Sequence, residues 1–234
     1  MRALLLALAA CLSLASCTAP AFAAAVPERA LVLLPVLVEQ QREIWPDAPQ
    51  PWFLAGQIEQ ESCLSLTHSK CWNPRAELKT SRENGIGLGQ FTRAFRADGS
   101  IRFDKIAELS AAHASLRGWS WDNRYDAHYQ LIALLEMNRA IYRRQKNAAT
   151  VIDRLSFSLS AYNGGEGGLL QDRRLCANTA GCDPARWKGH VAEHSLKSRR
   201  PVAGYRQSFF HINREYVTNV LDVRRQKYAP FFQG

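Results

Sequence analysis

What most constrains this chain is a hydrophobic period near that of an α-helix, recurring along most of its length. Residues 126–146 place Leu131, Leu134, Leu135, Met137 and Ile141 near helical spacing, which makes one side of a long helix apolar. Residues 30–45 carry a broad apolar stripe behind Pro27-Glu28, a helix start. Pro35 inside that stripe predicts a kink or a restart, because proline lacks a donor and crowds the preceding turn. Residues 151–162 form a third amphipathic run, halted by Asn163-Gly164-Gly165. Residues 205–228 form another, bearing Tyr216, Val217, Val220 and Leu221. Alternating strand patterns are scarce, and the glycines between Gly85 and Gly89 predict a loop or a very short hairpin. No internal repeat or linker interrupts the pattern. The expectation is one mainly α-helical domain over residues 27–234, long enough to bury a good core.

The first 23 residues read differently. After Arg2 comes an apolar run from Ala3 to Ser16, then small residues, the layout of a secretory signal. Two processing sites compete: Leu14-Ala15-Ser16-Cys17 has the form of a lipobox, and Ala21-Phe22-Ala23 that of an ordinary cleavage site. The chain is therefore expected to be exported to the periplasm, touching a membrane only through a lipid on Cys17. No later stretch is apolar enough to span a bilayer. Export puts the remaining cysteines in an oxidising compartment, and their spacing predicts two local disulfides, Cys63–Cys71 and Cys176–Cys182. A zinc reading of the first pair, with His68 between, lacks the four ligands a structural site needs. The net charge of +9 favours polyanions in general. Without zinc-finger spacing or an aromatic RNA-binding signature, nucleic acid is not the expected partner.

Chemistry concentrates in residues 53–62, FLAGQIEQES. At roughly 100° per residue, Leu54, Ile58 and Glu61 share one narrow arc of a helix, while Glu59 points well away. The apolar pair marks the covered side, so Glu61 faces the interior or a cleft, where desolvation raises a carboxyl's pKa. A general acid working near neutral pH needs that property. Alone, the segment is better read as a glutamate at a frayed helix end, held by a neighbour.

Further short motifs follow in order: Trp72-Asn73-Pro74-Arg75-Ala76, then Ser81, then Gly87-Leu88-Gly89-Gln90, then Ala161-Tyr162-Asn163, and finally Tyr216-Val217. With Glu61-Ser62 ahead of them, the series resembles the soluble lytic transglycosylases, relatives of goose-type lysozyme. The resemblance covers some 160 residues and implies a lysozyme-like helical fold acting on peptidoglycan glycan strands without metal or cofactor. It implies that Glu61 protonates the glycosidic oxygen and then accepts the muramyl C6 hydroxyl proton, closing a 1,6-anhydro ring. Tyr162 and Asn163 would orient sugar and glutamate. Ser62, Ser81 and Gln90 would meet the substrate, and Tyr216 would reach the glutamate. Gly89 stands where that family has methionine, Asn84-Gly85 where it has Gly-Ala, and Ile212 where many members carry glutamate. Extra chain lies between Ser62 and Trp72, bracketed by Cys63 and Cys71.

Other readings stand beside this one. His190-Val191-Ala192-Glu193-His194 matches an inverted zinc-peptidase pattern, which on a helix would align the two histidines. Trp119 and Trp121 suit sugar stacking, although core or lid packing is the expected role. Water instead of the C6 hydroxyl would make the enzyme a muramidase, and loss of catalysis would leave a wall-binding envelope component. The small single-domain form suits service to a conjugation or secretion apparatus.

Overall fold

The computed structural model describes residues 25–201 and 207–233. The predicted leader, with Cys17 and both processing sites, lies outside the described residues, as does the start of the last predicted helix at 205. Seven helices are present among them: α1 (Glu28–Ile44), α2 (Phe53–Ser62), α3 (Lys105–Ala112), α4 (Ala127–Arg144), α5 (Val151–Gly164), α6 (Glu166–Ala177) and α7 (Phe209–Thr218). The protein is mainly helical, as the hydrophobic period predicts. Side-chain caps fix several starts: Asp126 accepts from the amides of His128 and Tyr129, Thr150 from that of Asp153, and Ser208 from that of His211.

Helix α1 runs on through Pro35, so the restart that the sequence offered as one of two outcomes does not occur. The proline lies on the exposed side, and the carbonyl it deprives belongs to Leu31, itself 52% exposed, so water can serve that group. After α7 the winding changes to a π-helical turn at Asn219–Arg224 and a 3₁₀ stretch at Arg225–Phe232.

A four-stranded antiparallel sheet was not foreseen. Its strands β1 (Glu77–Lys79), β2 (Glu83–Ile86), β3 (Phe91–Phe95) and β4 (Ile101–Asp104) pair in sequence order. Of the two expectations for the glycine segment, loop or short hairpin, the hairpin is found: Gly87–Gly89 form one 3₁₀ turn joining β2 to β3. Strands of three to five residues are too short to display a period of two.

Buried apolar side chains form one cluster, including Leu34 and Leu37 of α1, Leu54 and Ile58 of α2, Leu134 of α4, Phe157 of α5 and Val220. Both expected disulfides are present, Cys63–Cys71 at the end of α2 and Cys176–Cys182 after α6. No helix among the described residues is long and apolar enough to cross a membrane.

Candidate active site

Helix α2 is enclosed on two sides. Against the C-terminal segment, Gly56 leaves no room for a side chain: a Cβ there would lie 3.0 Å from the backbone of Arg225. Glu59, expected to point away from the covered face, is 1% exposed on this second buried side. Its Oε1 accepts from Arg224 Nη1 at 2.8 Å, and its Oε2 from Lys227 Nζ at 2.7 Å and the Tyr228 hydroxyl at 2.5 Å. Tyr228 accepts in turn from the Trp72 indole N–H at 3.2 Å. Glu59 is thus a paired structural carboxylate that ties α2 to the chain's end.

Glu61 has no such compensation. Its one hydrogen bond from a described side chain comes from the Tyr216 hydroxyl, 2.5 Å from Oε1. Burial pushes its pKa from 4.5 up to about 7, and the Tyr216 bond pulls the other way without cancelling it. Tyr216 projects from α7 and stacks at 10° on Tyr162 of α5, ring centroids 6.4 Å apart. Burial and the neighbouring Glu61 charge hold both phenols well above the usual tyrosine range, so they remain protonated donors. A residue unforeseen from the sequence completes the group: Gln57, fully buried, donates from Nε2 to the Tyr216 oxygen at 3.1 Å. Its i,i+4 spacing from Glu61 was the available signal.

The β2–β3 turn is clasped to this centre. Gly87 has φ +68°, and a Cβ there would meet Gln130 Oε1 at 2.1 Å. Gln130 of α4, fully buried, accepts from the Leu88 amide at 2.9 Å and donates to the carbonyls of Pro74 and Arg124. At Gly89 a Cβ would lie 2.7 Å from Phe91 and 2.8 Å from the Tyr162 hydroxyl. A methionine at this position would have no space, and Tyr162 donates to the Gly89 carbonyl at 2.8 Å. Gln90 adopts a left-handed backbone, φ +46°, and donates to the Gly87 carbonyl at 3.0 Å. Its buried Oε1 has no partner.

Glu61, Gln90, Lys70, Glu77 and Glu83 line a pocket of about 290 Å³. A second pocket of about 260 Å³, lined by Tyr162, Phe103 and Met137, shares Gln90 and Thr92 with the first. Glu61, Gln90, Tyr162 and Tyr216 therefore come together as the motifs suggest. Ser62 lines the first pocket as well, whereas Ser81 and Asn163 line neither. Ser62 has its hydroxyl committed, donating to the Ile58 carbonyl at 2.7 Å and accepting from the Trp72 amide at 3.0 Å. Ser81 is exposed in the β1–β2 turn. Asn163 accepts from Asn213 Nδ2 at 3.0 Å. The acids Glu77 and Glu83, not singled out in the sequence, do reach the pocket. Glu77 is engaged by the Tyr125 hydroxyl and by Arg124 at 3.8 Å.

The inverted zinc pattern does not form its helix; only Val191–Glu193 make a 3₁₀ turn. His190 Nδ1 accepts from the Asp183 amide at 3.0 Å, and His194 Nδ1 hydrogen-bonds the His190 carbonyl at 2.8 Å. The segment instead serves Arg214, whose guanidinium donates to the carbonyls of Val191, Ala192 and His194 and to Asp172. Cys176, Cys182 and His194 are close enough to share an ion, but the two sulfurs are bonded to each other. Trp119 is buried edge-on against Phe91, and the Arg93 guanidinium covers Trp121 at 3.8 Å, so both pack. No protein-family model matches the chain, and no curated protein matches it significantly.

Proposed function

We propose that the chain is a peptidoglycan lytic transglycosylase with a lysozyme-like helical fold, exported to the periplasm and using Glu61 as its single acid and base. The observation that carries this reading is one desolvated carboxyl, its pKa near 7, held by Tyr216 at the wall of an open pocket. A group half protonated near neutrality donates and accepts with comparable ease. In the proposed reaction Glu61 gives its proton to the glycosidic oxygen as the C1–O bond breaks. The resulting carboxylate takes the C6 hydroxyl proton while that oxygen bonds to C1. Glu61 is regenerated and no water is consumed. The ordered motifs around Glu61, Gln90, Tyr162 and Tyr216 support the assignment. Lipid attachment at Cys17 and service to a conjugation or secretion apparatus belong to the same proposal.

Hydrolysis on the same scaffold is the second reading. Glu77 and Glu83 beside Glu61 favour it, because ordinary glycosidases flank the scissile bond with two carboxylates. A wall-binding role alone would give a carboxyl poised near neutrality no task. Incubating purified sacculi with wild type and Glu61→Gln tests the core of the proposal. Release of soluble glycan should fall at least about 10⁴-fold, the upper end for general acid–base catalysis. Near-normal release by a folded Glu61→Gln variant contradicts it.

A further inference from the structure

The chain of hydrogen bonds behind Glu61 has a direction. Gln57 Nε2 donates to the Tyr216 oxygen at 3.1 Å, and the Tyr216 hydroxyl donates its one hydrogen bond to Glu61 Oε1 at 2.5 Å. That order suits an ionised Glu61, which can only accept. A protonated Glu61 reverses it. The carboxyl O–H then donates to the Tyr216 oxygen, and Tyr216 must turn its own proton to an acceptor. A carboxamide supplies one: rotated by 180°, Gln57 offers Oε1 where Nε2 stood. In the observed orientation Oε1 is buried with no hydrogen-bond partner, a cost that an apolar residue of similar size would not incur.

We infer that Gln57 is a positioning residue for Glu61, ending the Tyr216–Glu61 chain as donor or acceptor according to the protonation state of the carboxyl. A single glutamate that must act first as acid and then as base needs both states held in one place. Here the inference rests on the proposed function. An N–H donated to the phenol oxygen also strengthens the phenol as a donor, which favours the carboxylate. The other groups facing Glu61 are Tyr162 from α5 and Lys70, Glu77 and Glu83 around the pocket. Arg224 and Lys227 are engaged by Glu59 on the far side of α2.

The test is a carbon-13 NMR titration of the Glu61 carboxyl in wild type, Gln57→Leu, Tyr216→Phe and the double variant, with kcat and KM measured alongside. Gln57→Leu should raise the Glu61 midpoint by about half a unit to one unit, the effect of one hydrogen bond. It should lower kcat about tenfold and leave KM nearly unchanged. In the Tyr216→Phe background the same change should do nothing further. Gln57→Met serves if leucine does not fold. A folded variant that keeps both the wild-type midpoint and the wild-type kcat, or a shift that persists without the phenol, overturns the inference. The titration uses no substrate, so a failure of the lyase reading would leave this outcome intact.

Discussion

Glu59 and Glu61 stand two residues apart on α2 and meet opposite electrostatics. Glu59 receives two cations and a phenol, whereas Glu61, among the described residues, receives one phenol and no cation. Removing the charge from Glu59 should leave Arg224 and Lys227 without their anion and cost roughly 3 kcal/mol, as breaking buried pairs does. Urea denaturation of Glu59→Gln measures it, and a loss below about 0.5 kcal/mol would contradict the structural role. For Glu61 the sign reverses. Its folded pKa, about 7, lies above the ordinary 4.5, so both states are protonated in acid. As pH rises from 4.5 to 7 the unfolded chain releases the proton first, and stability falls until it levels above 7. Glu61→Gln escapes this loss. It should match the wild type near pH 4 and exceed it at pH 8 by about 1–3 kcal/mol. An equal difference at both pH values would exclude the raised pKa. Helical periodicity located Glu61 because Leu54 and Ile58 mark its arc. It misjudged Glu59 because the arc assumes one covered face, and α2 has two. Gln57 escaped notice because a lone buried glutamine acquires meaning only when Tyr216, distant in sequence, arrives beside it.

Among elements, the junction after α2 and the β2–β3 turn set the shape of the pocket. Ser62 and the Cys63–Cys71 bond fasten the end of α2 to Trp72. Opening that disulfide, by reduction or by Cys71→Ser, should cost about 2–3 kcal/mol in the chain-entropy model and reduce activity with it. Thermal melts and sacculus digestion with and without reductant measure both, and a variant with unchanged activity would detach the loop from the site. Gly87→Ala combines strain at φ +68° with a collision against Gln130. It should displace Gln90 and lower activity more than stability. Long helices were legible in the sequence because each shows several turns of period. The sheet was not, because short strands interrupted by Gly85 offer too few alternations. Motif position put Ser62 and Asn163 at the substrate; the structure commits the Ser62 hydroxyl to Ile58 and Trp72 and the Asn163 carbonyl oxygen to Asn213. Which partner a short polar side chain takes depends on tertiary neighbours that spacing does not reveal.

At the scale of the whole molecule, one core brings Glu61 of α2, Tyr162 of α5, Tyr216 of α7 and the β2–β3 turn together beside two adjoining pockets, and in the proposed function Glu61 carries the proton. The rate should therefore follow its protonated fraction, with kcat/KM falling as pH rises through about 7. A profile flat from pH 5 to 9 would contradict that. The central claim is that the C6 hydroxyl, not water, completes the reaction. Mass spectrometry of glycan fragments released from purified sacculi in oxygen-18 water decides it most directly. A transglycosylase should release fragments ending in 1,6-anhydro-muramic acid, one water lighter than reducing ends and free of label. Labelled, reducing muramic acid ends would contradict it and assign the site to hydrolysis.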